Sequence, residues 1–186
     1  MLAKRLAIIA ALVLSSVAAQ SPAAADSIGD IVSVFDQVCL KRFPTGNSIN
    51  QFVAQNRLLP VSEEDMRAML GTDPGVGWYT QSPPGPYTLT IELPPYHTCA
   101  LRKRFPNLPD VRARFGAAVQ AWVKTQRGAS MKGHPTQTAN VGGIDSRVDI
   151  FDVSKPGLKE PEEMIVIVTP VEGGSELRLV RAIGNR

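Results

Sequence analysis

The stretch Tyr87-Thr88-Leu89-Thr90-Ile91-Glu92-Leu93 decides the fold class. Tyr87, Leu89, Ile91 and Leu93 fall on one side of an extended chain, and Thr88, Thr90 and Glu92 on the other. Side chains alternate with period two along a strand, so the pattern predicts a strand with one buried face and one wetter face. Such strands belong to antiparallel sheets, because parallel strands are covered on both sides and read as continuous apolar runs. Pro-Pro-Gly-Pro at 83–86 and Pro94-Pro95 bound the stretch with turns.

Working outward, residues 76–81 precede it as a strand and His97 to Phe105 follow it. In the latter, Cys99, Leu101, Lys103 and Phe105 share one face, and Arg102 and Arg104 the other. Further strands are expected at about 144–153, 163–171 and 176–184. The last two flank Glu172-Gly173-Gly174-Ser175, a hairpin turn. Residues 128–143 read as a polar, glycine-containing connector.

Four segments carry helical signals. Ile28, Ile31, Val32, Phe35, Val38 and Cys39 repeat at 3.6-residue spacing, which predicts a helix over 27–41 capped by Asp26 or Ser27. Shorter helices are expected at 48–56 and 63–70, the second with Ser62 and Asp65 as a near capping box and Gly71 as its stop. Val111, Phe115, Ala118, Val119 and Trp122 make the core stripe of a helix over 107–126. The expectation is one α+β domain over 26–186. It has an antiparallel sheet of about five to six strands packed against helices, an N-terminal helical segment and one disulfide.

The first 25 residues are of a different kind. Lys4 and Arg5 make a positive start, Leu6 to Ala19 is uncharged and apolar, and Ala23-Ala24-Ala25 supplies small residues before Asp26. These are the three parts of a cleavable secretory signal, with cleavage after Ala25, or alternatively after Ala19. The apolar run is shorter than the ~20 residues that span a bilayer, so no transmembrane anchor is expected after cleavage. The expected location is periplasmic or secreted. Removing Lys4 and Arg5 leaves 18 Lys and Arg against 17 Asp and Glu, a net charge of +1. Nucleic acid is therefore not an expected partner.

The two cysteines, Cys39 and Cys99, both lie in the exported part, where an even pair is most simply a disulfide, the alternative being two free buried thiols. That bond brings Lys41 and Arg42 toward Arg102, Lys103 and Arg104, a candidate patch for an anionic envelope component or protein partner. Trp78 and Tyr79 form a candidate aromatic surface. No catalytic signature is present, and no metal site or cofactor is expected. His134 reads as a solvated loop residue, and His97 is the better of the two histidines as a general base. The carboxylate pairs Glu63-Glu64 and Glu162-Glu163 read as solvated helix or loop ends. Lys41-Arg42-Phe43-Pro44 recurs as Lys103-Arg104-Phe105-Pro106, but one copy ends a helix and the other a strand, which speaks against duplication.

The leader, a helix ending in Cys39-Leu40, the Gly77-Trp78 pair and the Cys99 strand together resemble small secreted proteobacterial proteins of unknown function. The resemblance spans about half the chain and implies a periplasmic location. The functional expectation is an exported, soluble, non-catalytic binding module. The alternatives are a small periplasmic hydrolase using His97 and a structural envelope-associated protein.

Overall fold

A computed structural model describes residues 27–81 and 85–184. The leader expected at 1–25, its cleavage point and Asp26 lie outside the described residues. No described helix is long and apolar enough to cross a membrane.

The chain opens with α1 (Ser27–Phe35), which runs into a π-helical turn, Asp36–Leu40. Then come α2 (Gly46–Gln55), a two-residue strand β1 (Leu59–Pro60) and α3 (Glu63–Leu70). Strands β2 (Gly75–Thr80), β3 (Tyr87–Glu92) and β4 (Thr98–Phe105) lead to α4 (Arg112–Val123). Five strands finish the chain: β5 (Ser130–Gly133), β6 (Gln137–Val141), β7 (Ile144–Ser154), β8 (Glu162–Val171) and β9 (Gly174–Ala182).

All nine strands join one antiparallel sheet in the order β1-β2-β3-β4-β9-β8-β7, with β5 and β6 pairing successively along the outer edge of β7. The expected five to six strands are therefore corrected to nine. The missing ones are β1, β5 and β6. Strands β5 and β6 lie in the stretch expected to be a connector, because Ser130-Met131-Lys132-Gly133 and Gln137-Thr138-Ala139-Asn140-Val141 show no apolar alternation. An edge strand with exposed side chains need not show any. Gly142 and Gly143, both at positive φ, make the two-residue turn that returns β6 to β7.

The alternation of β3 holds for Tyr87, Leu89 and Ile91, but Leu93 lies past the strand and is exposed, and Thr90, expected on the wetter face, is buried. Leu89 and Ile91 are buried, and they face Leu101 and Cys99 across the ladder. The same face continues through Leu179, Val166 and Phe151, and α1, the π turn, α2 and α4 cover it. Cys39 and Cys99 are bonded there, with alpha carbons 5.5 Å apart. The bond closes a separation of 60 residues and ties the helical layer to the sheet.

Helix α3 sits on the opposite face, and two glycines explain how. Trp78 packs on the main core, so its neighbours Gly75 and Gly77 present the other side of β2. A Cβ on Gly77 would overlap Met66 Sδ, and one on Gly75 would overlap Leu70 Cδ1. The bare backbone is the seat of the helix. Ser62 caps α3 by accepting from the Asp65 N–H at 3.1 Å.

One buried charge cluster fixes the helical layer. Arg181, 3% exposed, donates through Nη1 to the carbonyls of Cys39 (2.7 Å), Leu40 (3.2 Å) and Phe43 (2.9 Å). Its Nε and Nη2 meet Glu162 at 3.0 and 2.9 Å. The guanidinium lies 5.6 Å from the Phe43 ring centroid and 4.7 Å from that of Trp122. Glu162, expected to be a solvated end, is instead buried and also accepts from Lys155 at 2.7 Å. Local sequence carries no sign of this, because its partner arrives from 19 residues away.

Candidate functional site

Alternation places the expected site residues on different sides of the sheet. Lys103 points into the helical layer, buried, with its Nζ 5.3 Å from the Phe105 ring centroid. Arg102 and Arg104 point to the α3 face. Lys41 pairs with Asp36 on the π turn, and Arg42 donates to the Gln37 carbonyl at 2.6 Å and lies over the Phe52 ring. The five cations are thus not gathered into one patch. The disulfide brings the π turn to one end of β4, but residues 102–104 run away from it at ~3.4 Å per residue.

Trp78 and Tyr79 are likewise separated, as neighbours in a strand must be. Trp78 is half-buried against the core, while Tyr79 is 36% exposed on the α3 face. His97 occupies a turn at φ 45°, its ring edge-on to Phe43 at 5.0 Å, and its carbonyl accepts from the Ile183 N–H. The other histidine, His134, pairs with Asp152 at 2.7 Å on the sheet's outer edge. Among the described residues, no three His, Cys, Asp or Glu converge as a metal ion requires.

What the fold does bring together is Tyr79 and Arg102. The ladder registers run Tyr79, Thr88, Arg102, Arg178, Ile167, Val148 in a single row across six strands of the α3 face. A groove of about 570 Å³ opens between α3 and this row, its lining including Met69, Tyr79, the cations Arg102 and Arg104 and the carboxylates Asp65 and Glu176.

The centre of the row is electrostatically unusual. Arg102 on β4 and Arg178 on β9 are direct cross-strand neighbours. Like charges so placed repel. Among the described residues each guanidinium is held by one acceptor: Arg102 Nη2 donates to the Met69 carbonyl at 3.3 Å, and Arg178 Nη2 to Glu176 Oε1 at 3.4 Å. Both Nε–H groups are buried and find no acceptor among the described residues. Burial, and then the neighbouring Arg178, push the Arg102 guanidinium down to about 10, against the pull of Glu176 and Glu92. It remains charged at neutral pH, and two cations sit fixed beside each other against the single carboxylate of Glu176, with donors to spare.

A larger groove, about 750 Å³, runs between α1 and α4. Its cations are matched: Lys41 by Asp36, and Lys155 and Arg181 by Glu162. It offers shape without unmatched charge. Sequence reasoning missed Arg178 altogether. The alternation of 176–184 places Glu176, Arg178, Val180 and Ala182 on one face, but only the β4–β9 pairing sets Arg178 beside Arg102.

No family model, curated protein or solved structure matches this chain. The site therefore rests on its own geometry.

Proposed function

We propose that this chain is an exported, non-catalytic binding module that takes an anionic group at the Arg102–Arg178 pair, with Arg104 at the rim. The observation that carries the reading is the pair itself: two in-register arginines, each with one acceptor and a buried Nε–H without a partner among the described residues. Holding like charges side by side costs stability, and an oxyanion between them offsets that cost with charge-assisted hydrogen bonds. The guanidinium fork suits carboxylate, phosphate and sulfate. Groups of that chemistry are abundant on envelope lipids, glycans and acidic protein faces.

The Cys39–Cys99 bond supports the exported part of the reading, because disulfides persist in oxidising compartments. The sequence motif at 1–25 supports it independently. Mass spectrometry of the protein recovered from an envelope fraction should give an N-terminus at Asp26; an intact Met1 would contradict export by cleavage.

The binding part is tested by thermal unfolding in a panel of inorganic phosphate, sulfate and chloride. A ligand at ten times its Kd adds about 1.4 kcal/mol by mass action. That raises Tm by roughly 3–6 °C in a chain of this size. The rise should vanish in Arg102→Gln and in Arg178→Gln and shrink with added sodium chloride. An equal rise in both variants would refute the site.

A further inference from the structure

The row that carries the arginine pair does not stop at it. Beyond Arg178 it continues through Ile167 on β8 and Val148 on β7. The next row, two residues along each strand, reads Ala100, Val180, Ile165, Ile150. Val148 and Val180 are buried, and Ile150, Ile165 and Ile167 are half-buried. Together they form an apolar strip that begins where the two guanidiniums end. Helix α3 packs over β2, and the remaining helices pack on the opposite face. A single face of the sheet thus places a cation pair and an apolar strip in continuous register.

Resting on the anion-binding reading above, we infer that the ligand is a single-chain anionic amphiphile, its phosphate or carboxylate head at Arg102 and Arg178 and its alkyl chain along Ile167, Ile165 and Ile150, the three accessible side chains of the strip. The charge pattern argues for this occupant. The two arginines, with Glu176 paired to Arg178, lie at one end of the strip, while Glu163 and Asp152 form the next row along the strands beyond Ile165 and Ile150 and offer an anion nothing. An anionic head therefore has one favoured end and a reversed ligand has none. Strands are spaced by ~4.8 Å, so the strip from Arg178 to Val148 spans about 10 Å, the length of an alkyl chain of about eight carbons. A chain lying on an open face buries about half the surface of each methylene. Half of the transfer free energy of a buried CH₂, about 0.4 kcal/mol, is about twofold in affinity.

The test is a titration of the purified protein with butyl, hexyl, octyl and decyl phosphate below their micelle concentrations, with inorganic phosphate and octyltrimethylammonium as controls. The inference predicts affinity rising about twofold per methylene, about 16-fold from butyl to octyl, and flattening by decyl. Ile165→Thr with Ile167→Thr, which keeps the β-branched shape, should level the series, bringing octyl and butyl phosphate alike down toward the affinity of inorganic phosphate, because Ile167 lies directly beside Arg178. If all the phosphates, inorganic included, bind alike, the amphiphile is refuted and the anion site stands. If none binds, both readings fall. Equal binding of the cationic control removes the arginine pair from the recognition and overturns the inference. A dimer in sedimentation velocity that persists at saturating octyl phosphate would assign the strip to a second copy of the chain instead. The chain-length series on the unaltered protein decides the matter even if a variant fails to fold.

Discussion

Replacing Arg181 with Met should cost this protein a large part of its stability, and the reason is legible atom by atom. The substitution keeps an unbranched side chain between Phe43 and Trp122 but removes every donor. Three carbonyls at the end of the π turn lose their partner, and buried Glu162 keeps only Lys155. Breaking one side of a buried ion pair costs about 3–5 kcal/mol; Lys155 still offsets part of the Glu162 charge, but the three carbonyls lose their donor as well. Taking ~4 kcal/mol and a urea slope of ~2 kcal/mol/M, the unfolding midpoint falls by about 2 M. Tryptophan fluorescence reports the transition, since the Trp122 ring lies 4.7 Å from the guanidinium. Arg181→Met with Glu162→Gln should cost at least about 1 kcal/mol less than the sum of the two single substitutions, because each single one already breaks the bond they share. A single variant within 1 kcal/mol of the parent, or a double variant at the simple sum of the two, would refute the reasoning.

Other expectations follow from separate features. Reducing the Cys39–Cys99 bond reopens a 60-residue loop and should lower stability by about 4 kcal/mol, measured as the shift in urea midpoint with and without reductant. Gly75→Ala places a methyl against Leu70 and 2.8 Å from the Ile91 carbonyl oxygen, so it should lift α3 and cost about 1–3 kcal/mol, whereas exposed Gly46, with open space around it, should tolerate Ala. Burial raises the Tyr87 phenol above its ordinary 10. The unfolded chain therefore loses this proton first, so the contribution of Tyr87 to stability should be constant below pH 10 and be lost above it. Tyr87→Phe should flatten that fall and remove the late-ionising phenol from the absorbance titration at 295 nm.

The parts of the fold that local sequence encodes were readable in it. The alternation of 87–93 specified a half-covered strand, and Ser62 with Asp65 specified the start of α3, because both signals sit within a few residues of the structure they produce. Strands β5 and β6 were hidden, since their pairing with β7 depends on backbone hydrogen bonds that polar edge residues do not advertise. The site was half legible for the same reason. Alternation already placed Arg102 and Arg104 together and Lys103 opposite them. Pooling them with Lys41 and Arg42 fails because a bond at Cys99 fixes one point of a strand and not its far end. Arg178 and Glu162 acquire their roles from ladder registers and buried contacts with distant segments, which no local pattern records.

The most direct measurement of the central claim is the arginine Nε–Hε NMR spectrum during titration with octyl phosphate. The Nε–H groups of Arg102 and Arg178 have no acceptor among the described residues, while that of Arg181 already donates to Glu162 at 3.0 Å. An anion bound at the pair should shift the Arg102 and Arg178 resonances saturably and together, and leave Arg181 in place. Unmoved Arg102 and Arg178 signals at saturating ligand, or equal drift of every arginine on the surface, would contradict the account.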